Sequence, residues 1–164
     1  MFIAHLPASY LLTSKLREKF KLRSPVFWGL LGGIFPDFDM FYFYLIDQRR
    51  HAHHEYWTHI PFYYLLGALL LALLQYYRPV WRMAAAWIFL GNVFLHLILD
   101  SFVGYIYWLA PFYWKSFALF HIEAQYSWWV YNFILHWTFL VEVLIVGWAV
   151  VFYFQRRFRT LGPL

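Results

Sequence analysis

The chain has 164 residues, of which 63% are apolar, 26% aromatic and only 13% charged, with a net charge of +5 and no cysteine. Such a composition belongs to an integral membrane protein and leaves no length for a separate soluble domain, so one membrane domain over residues 1–164 is expected. The absence of thiols excludes disulfides, thiolate metal ligands and cysteine nucleophiles, so any metal must be held by N and O.

Met1 to Thr13 is apolar but short, with no basic stretch before it and no small-residue cleavage pattern after it, so a removable signal peptide is not expected. It reads as a short or half-buried helix, followed by an interfacial segment carrying Lys15, Arg17, Lys19, Lys21 and Arg23. Val26 to Ile46 reads as a first span. Gly29, Gly32 and Gly33 allow close helix contact there, and Pro36 interrupts it just before Asp37. A polar loop from Asp47 to His59 leads into the leucine-rich span Pro61 to Tyr77. A third span, Met83 to Leu109, carries Asn92, His96 and Asp100, and a fourth, Tyr126 to Phe154, carries Asn132, His136 and Glu142. The fold expected is therefore all-α: a polytopic membrane helix bundle of about four spanning helices plus a short N-terminal helix. The many Tyr and Trp that flank these runs read as belts at the headgroup level.

Short cytoplasmic loops carry the excess of Lys and Arg, which orients the bundle. With the C-terminus cytoplasmic, Lys15, Arg17, Lys19, Lys21, Arg23, Arg78, Arg82, Arg156, Arg157 and Arg159 fall inside, and Arg49, Arg50 and Lys115 outside. The same arrangement puts all eight histidines at or above mid-membrane on the outer side, with His121 and Glu123 in the last outer loop. Topology thus accounts for the positive charge, and no nucleic-acid partner is needed to explain it.

Within this hydrocarbon, Pro36-Asp37-Phe38-Asp39, then His51, His53, His54 and His59, then His96 and Asp100 stand out, because ionisable groups in a membrane are costly and mark function. One bound ion can offset that cost for several of them. His96 and Asp100 are four apart, so they share a helix face with Cβ atoms about 6 Å apart, as two ligands of one ion require. Asp37 and Asp39 diverge on a regular helix but can converge if Pro36 opens the backbone and Asp37 caps the helix that resumes. His54 and His59 flank the outer start of the next span, with Thr58 available to support them. A mixed imidazole and carboxylate set suits Zn, Mn or Fe. Taken singly, His5, His51, His53 and His121 read as interfacial histidines; His136 and Glu142 lie six apart and do not share a face neatly.

Ile3-Ala4-His5, Gly33-Ile34-Phe35-Pro36-Asp37-Phe38-Asp39, His54-Glu55-Tyr56-Trp57-Thr58-His59 and Leu95-His96-Leu97-Ile98-Leu99-Asp100 resemble, in order and spacing, the YdjM-type family of inner-membrane metal-dependent hydrolases. The resemblance covers roughly residues 3–112 and implies His5, Asp37, Asp39, His54, His59, His96 and Asp100 as the metal-binding set. It also implies the bacterial inner membrane. A remote similarity of that family to zinc-dependent phospholipase C and single-strand nucleases implies phosphoester hydrolysis by one to three divalent ions, zinc first among them. Two positions depart from the family's pattern: Glu55 stands where Arg is usual, removing a phosphate clamp, and Ile60 where Ser is usual.

The reaction these readings favour is hydrolysis by metal-activated water, with a spare carboxylate, Asp39 or Glu55, as general base. A site at mid-depth with an outward mouth admits lipid headgroups more readily than soluble polymers, so a lipid phosphoester or other lipid-linked substrate is expected. The alternatives are a membrane haem protein, with His96 and His136 as axial ligands, and a metal-binding or transport protein without hydrolase activity.

Overall fold

The computed structural model describes residues 3–23, 26–79 and 83–161. Among these residues the protein is all-α, with seven helices: α1 (His5–Phe20), α2 (Phe27–Ile34), α3 (Asp39–Leu45), α4 (Pro61–Tyr77), α5 (Ala84–Asp100), α6 (Trp129–Ile134) and α7 (Thr138–Leu161). Arg82, one of the basic residues used to orient the chain, lies outside the described residues, as do the side chain of Arg159 and the far N-terminus.

Lengths differ from the four spans expected. Among the described residues only α7 is long and apolar enough to cross a membrane by itself, its apolar stretch running over Thr138–Phe158. The apolar helices α4 and α5 have 17 residues each, about 26 Å, which is short of a hydrocarbon core of about 30 Å. The third span was expected to reach Leu109, but α5 stops at Asp100, whose carbonyl accepts the amides of Val103 and Gly104 in a turn. Beyond it, residues 101–128 are irregular, held by an antiparallel bridge between Ile106 and Phe117 and by amides of Leu119 and Phe120 on the carbonyls of Ser101 and Phe102. The fourth span is likewise split, because the chain leaves helical geometry between α6 and α7 around His136. The N-terminal helix is longer than expected: α1 runs through Lys15, Arg17 and Lys19 instead of ending before them.

The first span breaks at Pro36, where expected, into α2, a 3-10 turn over Pro36–Phe38, and α3. Proline has no amide to donate, so the turn there breaks the α-helical ladder and redirects the chain. Asp37 does not cap α3, as no side chain caps that helix.

Helix α2 packs against both α5 and α1, which also touch each other; α4 lies on α5, and α7 reaches the bundle through α1 and α6. Glycine makes the central crossing possible. A Cβ at Gly32 would lie 2.3 Å from the Phe89 carbonyl oxygen of α5, and one at Gly33 only 2.0 Å from Ser9 Oγ of α1. Asn92 ties the same helices by donating to Thr13 Oγ1 at 3.0 Å. The buried apolar cluster is small, with Tyr64, Val93 and Leu97 at its centre and Phe35, Phe89 and Phe94 around it. Leu65, Leu66, Leu69, Leu70, Leu73 and Leu74 instead cover the outside of α4. A polar interior and an apolar exterior invert the arrangement of a water-soluble bundle and suit lipid as solvent.

Candidate metal centre

Four elements end at one place. The N-terminal end of α1 brings His5, the turn after α2 brings Asp37, the turn before α4 brings His59, and the last two turns of α5 bring His96 and Asp100. His59 and His96 are fully buried, Asp100 is 3% exposed, and Asp37 is half-exposed.

Asp37 Oδ1, His59 Nε2, His96 Nε2 and Asp100 Oδ2 converge on a single point. His96 Nε2 lies 2.9 Å from Asp100 Oδ2 and 3.6 Å from Asp37 Oδ1, and His59 Nε2 lies 3.7 and 3.9 Å from the same two oxygens. Around a tetrahedral zinc with bonds of about 2.0–2.1 Å, ligand atoms stand about 3.3 Å apart, and the four measured separations bracket that value. The Nε2 atoms of His59 and His96 are shut off from solvent and make no hydrogen bond. An ion held among the four atoms would satisfy both buried nitrogens. The donor set therefore fits a divalent ion.

Behind these atoms the other ring nitrogens are fixed. His96 Nδ1 sits 2.7 Å from the Gly33 carbonyl oxygen and His59 Nδ1 2.7 Å from Asp39 Oδ2. Because a carbonyl can only accept, His96 Nδ1 carries the proton, which leaves Nε2 free to act as a ligand; the carboxylate would do the same for His59. Asp39 is thus turned to the back of His59 and not to the centre. Its Oδ2 also accepts the Thr58 hydroxyl at 2.5 Å, and its Oδ1 faces His53 Nδ1 at 3.1 Å.

His5 and His54 stand beside the centre and outside the four-atom cage. His5 Nε2 is 3.1 Å from the other Asp100 oxygen, Oδ1, and its ring stacks on His96 at 3.9 Å. His54 Nε2 approaches Asp100 Oδ2 at 3.7 Å, and with His53 and His59 it forms a second group with metal-binding spacing. Gly104 lets that ring in, since a Cβ there would lie 2.5 Å from His54 Cε1. His53, which read as an interfacial histidine in the sequence, belongs to the site. Its only signal was its place in the run His51-Ala52-His53-His54.

The other polar residues go elsewhere. Glu55 is exposed and accepts the Tyr107 hydroxyl at 3.3 Å. His136 Nδ1 faces Thr138 Oγ1 at 2.8 Å, and His121 Nδ1 faces the Tyr105 hydroxyl at 2.6 Å. Glu142, on α7 and 3% exposed, accepts the amides of Ile3 at 2.5 Å and Ala4 at 3.2 Å, and so pins the residue before His5.

Charge in the loop between α3 and α4 follows from these contacts. Burial pushes His54 well below its ordinary value, so it is a neutral ring with a lone pair to give. Burial also acts against a proton on His59, but the Asp100 and Asp39 carboxylates outweigh it and raise that group to about 9. An ion at the centre would take the place of that proton. Burial pushes the Asp47 carboxyl up, yet the His51 backbone amide and ring, with help from Tyr56, hold it down at about 2.

Two cavities flank the centre. One, of about 670 Å³, opens on Asp37, His53 and His54 and is walled by Met40, Tyr105 and Phe133. The other, of about 920 Å³, lies on the far side of Asp39 and Thr58 and is largely aromatic, with Tyr42, Tyr56 and Trp57; Tyr107 lines both.

The chain matches the family described as YdjM inner membrane protein over residues 2–159, nearly its whole length, and it belongs to that family. Neither a curated protein nor a solved structure matches it.

Proposed function

We propose that this member of the YdjM inner membrane protein family is a membrane-embedded metal-dependent hydrolase. Its substrate is a phosphoester or another lipid-linked ester, reached from the outer side of the cytoplasmic membrane. The observation that carries the proposal is the cage of Asp37, His59, His96 and Asp100, three members buried and one at the mouth of a cavity. A purely structural ion is normally closed in on all sides, whereas catalysis needs one side open. The open side here is that of Asp37, where the cavity begins.

A bound divalent ion would supply Lewis-acid polarisation of the ester and water acidified to near neutrality. The chain does the rest. Asp39 and the Gly33 carbonyl fix the ring tautomers of His59 and His96, so both present Nε2 without rotamer search. Asp39 has both oxygens engaged by Thr58, His59 and His53, which supports an orienting role over that of the base. Of the two candidate bases, Glu55 is the exposed one; it lines the cavity beyond Asp39 and accepts a hydrogen bond from Tyr107, a residue that lines both cavities. Apolar walls on the cavity at Asp37 suit the glyceryl and acyl part of a lipid.

Outward orientation rests on charge. The basic ends of α1 and α7 meet at the end of the bundle opposite the cage, where Arg156 pairs with Glu18 at 3.3 Å. The positive-inside rule places that end in the cytoplasm.

The test has two stages on protein purified in maltoside detergent. Elemental analysis should find at least one equivalent of Zn, Mn or Fe, lost in His96→Ala and Asp100→Ala. The metal-loaded protein should then release headgroup or phosphate from mixed lipid phosphoesters, chelator should stop it, and Glu55→Gln should slow it with metal content unchanged. Metal-loaded protein inert towards every phosphoester and carboxyl ester of the lipid extract would refute the hydrolase.

A further inference from the structure

We infer that the aromatic cavity beyond Asp39 and Thr58 is a second, independent site, which binds the ammonium group of a phospholipid headgroup. The cavity holds about 920 Å³ and is walled by Tyr42, Tyr56, Trp57, Tyr107 and Trp114, with Glu55 among them. Tyr42 meets Tyr56 at 5.3 Å and 79°, and Tyr107 meets Trp114 at 5.8 Å and 59°. Neither pair is stacked parallel, so ring surface stays open to a guest: Tyr42 is 47%, Trp57 57% and Trp114 59% exposed.

Charge decides what kind of guest fits. Among the described residues that line the cavity there is no Lys or Arg, whereas Asp39, Asp47 and Glu55 are all present. Asp39 is met by Thr58, His53 and His59, and Asp47 by His51. Glu55 differs: it is exposed, and its partner among the described residues is a neutral one, the Tyr107 hydroxyl at 3.3 Å. Such a wall repels an anion, and an apolar guest would leave the Glu55 carboxylate without a counter-charge. An organic ammonium meets both features, because ring faces and a carboxylate attract the same positive charge. A hard metal ion suits the cavity less well, since it is held by several converging oxygens and here rings make up most of the wall.

A lipid supplies that ammonium, because the cavity runs into apolar surface. Phe38 lines it and is 44% exposed, and the ring of Phe41, 68% exposed on α3, stands 6.5 Å from that of Phe38. This margin gives acyl chains a place beside a headgroup seated at Glu55. The inference stands apart from the metal centre: Asp37, His59, His96 and Asp100 do not line this cavity, and a lipid held here need not be the one hydrolysed.

Native mass spectrometry of the maltoside-purified protein tests it. Phosphatidylcholine, phosphatidylethanolamine, phosphatidylglycerol and phosphatidyl-3,3-dimethylbutanol, whose headgroup replaces the choline nitrogen by carbon, are offered in parallel, as is free choline. At least one of the two ammonium lipids should be retained about 10-fold better than phosphatidylglycerol and the carbon isostere. The double variant Trp57→Leu, Trp114→Leu should weaken that retention by about 5- to 30-fold, the worth of two cation–π contacts. Glu55→Gln should weaken it by about 3- to 5-fold, as loss of an exposed charge does. Trp28→Leu, on α2 and outside this cavity, should leave it unchanged. Equal retention of the ammonium lipids and the carbon isostere, or retention unaltered by both the tryptophan and the Glu55 variants, would overturn the inference. Free choline bound as tightly as either lipid would overturn the lipid assignment. Should the double tryptophan variant fail to fold, Glu55→Gln, a change at an exposed side chain, decides in its place.

Discussion

Helices α4 and α5 have the same length, 17 residues, and both are strongly apolar, yet they have opposite fates. In α4 only Pro61 and Tyr64 are buried, and its leucines face outward; in α5 seven residues are buried, among them Asn92, His96 and Asp100. In water, hydrophobicity would decide which helix goes inside. Lipid is as apolar as leucine, so burial is decided by what lipid cannot solvate, namely the polar atoms. The interior of this protein is where its hydrogen-bonding groups had to go, and the cluster of His59, His96 and Asp100 that could hold a metal ion lies in that interior.

The sharpest way to break the contrast is to remove polar atoms from α5 and apolar atoms from α4. Asp100→Ala should abolish metal retention and destabilise the protein by about 3–5 kcal/mol, because it leaves His96, His5 and His59 around an uncompensated hole. Leu69→Ala and Leu70→Ala, both 58% exposed, should stay within about 0.5 kcal/mol in thermal unfolding. Glycine gives a second, smaller contrast. Gly32→Ala puts a methyl against the Phe89 carbonyl and should cost about 1–3 kcal/mol, since backbone must move. Gly67→Ala on α4 meets nothing within 4 Å and should be neutral or gain about 0.5–1 kcal/mol.

Glu142 extends the comparison to α7, the other helix with a lipid-facing surface. Glu142→Leu frees the amides of Ile3 and Ala4, so His5 should lose its hold on Asp100 and metal affinity should fall about tenfold in chelator competition. Glu142→Gln keeps an acceptor oxygen and should restore most of it; equal losses in both variants would show that charge and not positioning matters. The smallest effect concerns the loop. Asp47 is held at about 2, below its ordinary value, so its contacts with His51 stabilise the loop fully above about pH 4 and are lost as pH falls through about 2. Amide exchange at His51 should show that loss, and Asp47→Asn should abolish its pH dependence.

How much of this was legible follows from the same physics. The pairing of His96 with Asp100 could be read directly, because a four-residue spacing on a helix fixes a shared face. The break at Pro36 could be read too, but not where it would send the two aspartates. Asp37 turns to the centre and Asp39 to the back of His59, because a 3-10 turn separates α2 from α3 and changes the angle between successive side chains. The Gly33 carbonyl that orients His96 has no sequence signature at all, as every residue has a carbonyl. Helix lengths were overestimated because apolar composition continues through residues 101–109, where the turn at Gly104 and the Ile106 to Phe117 bridge take over from helix. The role of Glu142 was hidden because its partners are backbone amides 139 and 138 residues away.

X-ray absorption at the zinc edge of the metal-loaded protein tests the central claim most directly. The account predicts a shell of N and O ligands at about 2.0–2.1 Å with the multiple-scattering signature of two imidazoles, reduced by one in His59→Ala and by one in His96→Ala. A bound zinc with no imidazole in its shell, or a shell unchanged by both substitutions, would contradict it.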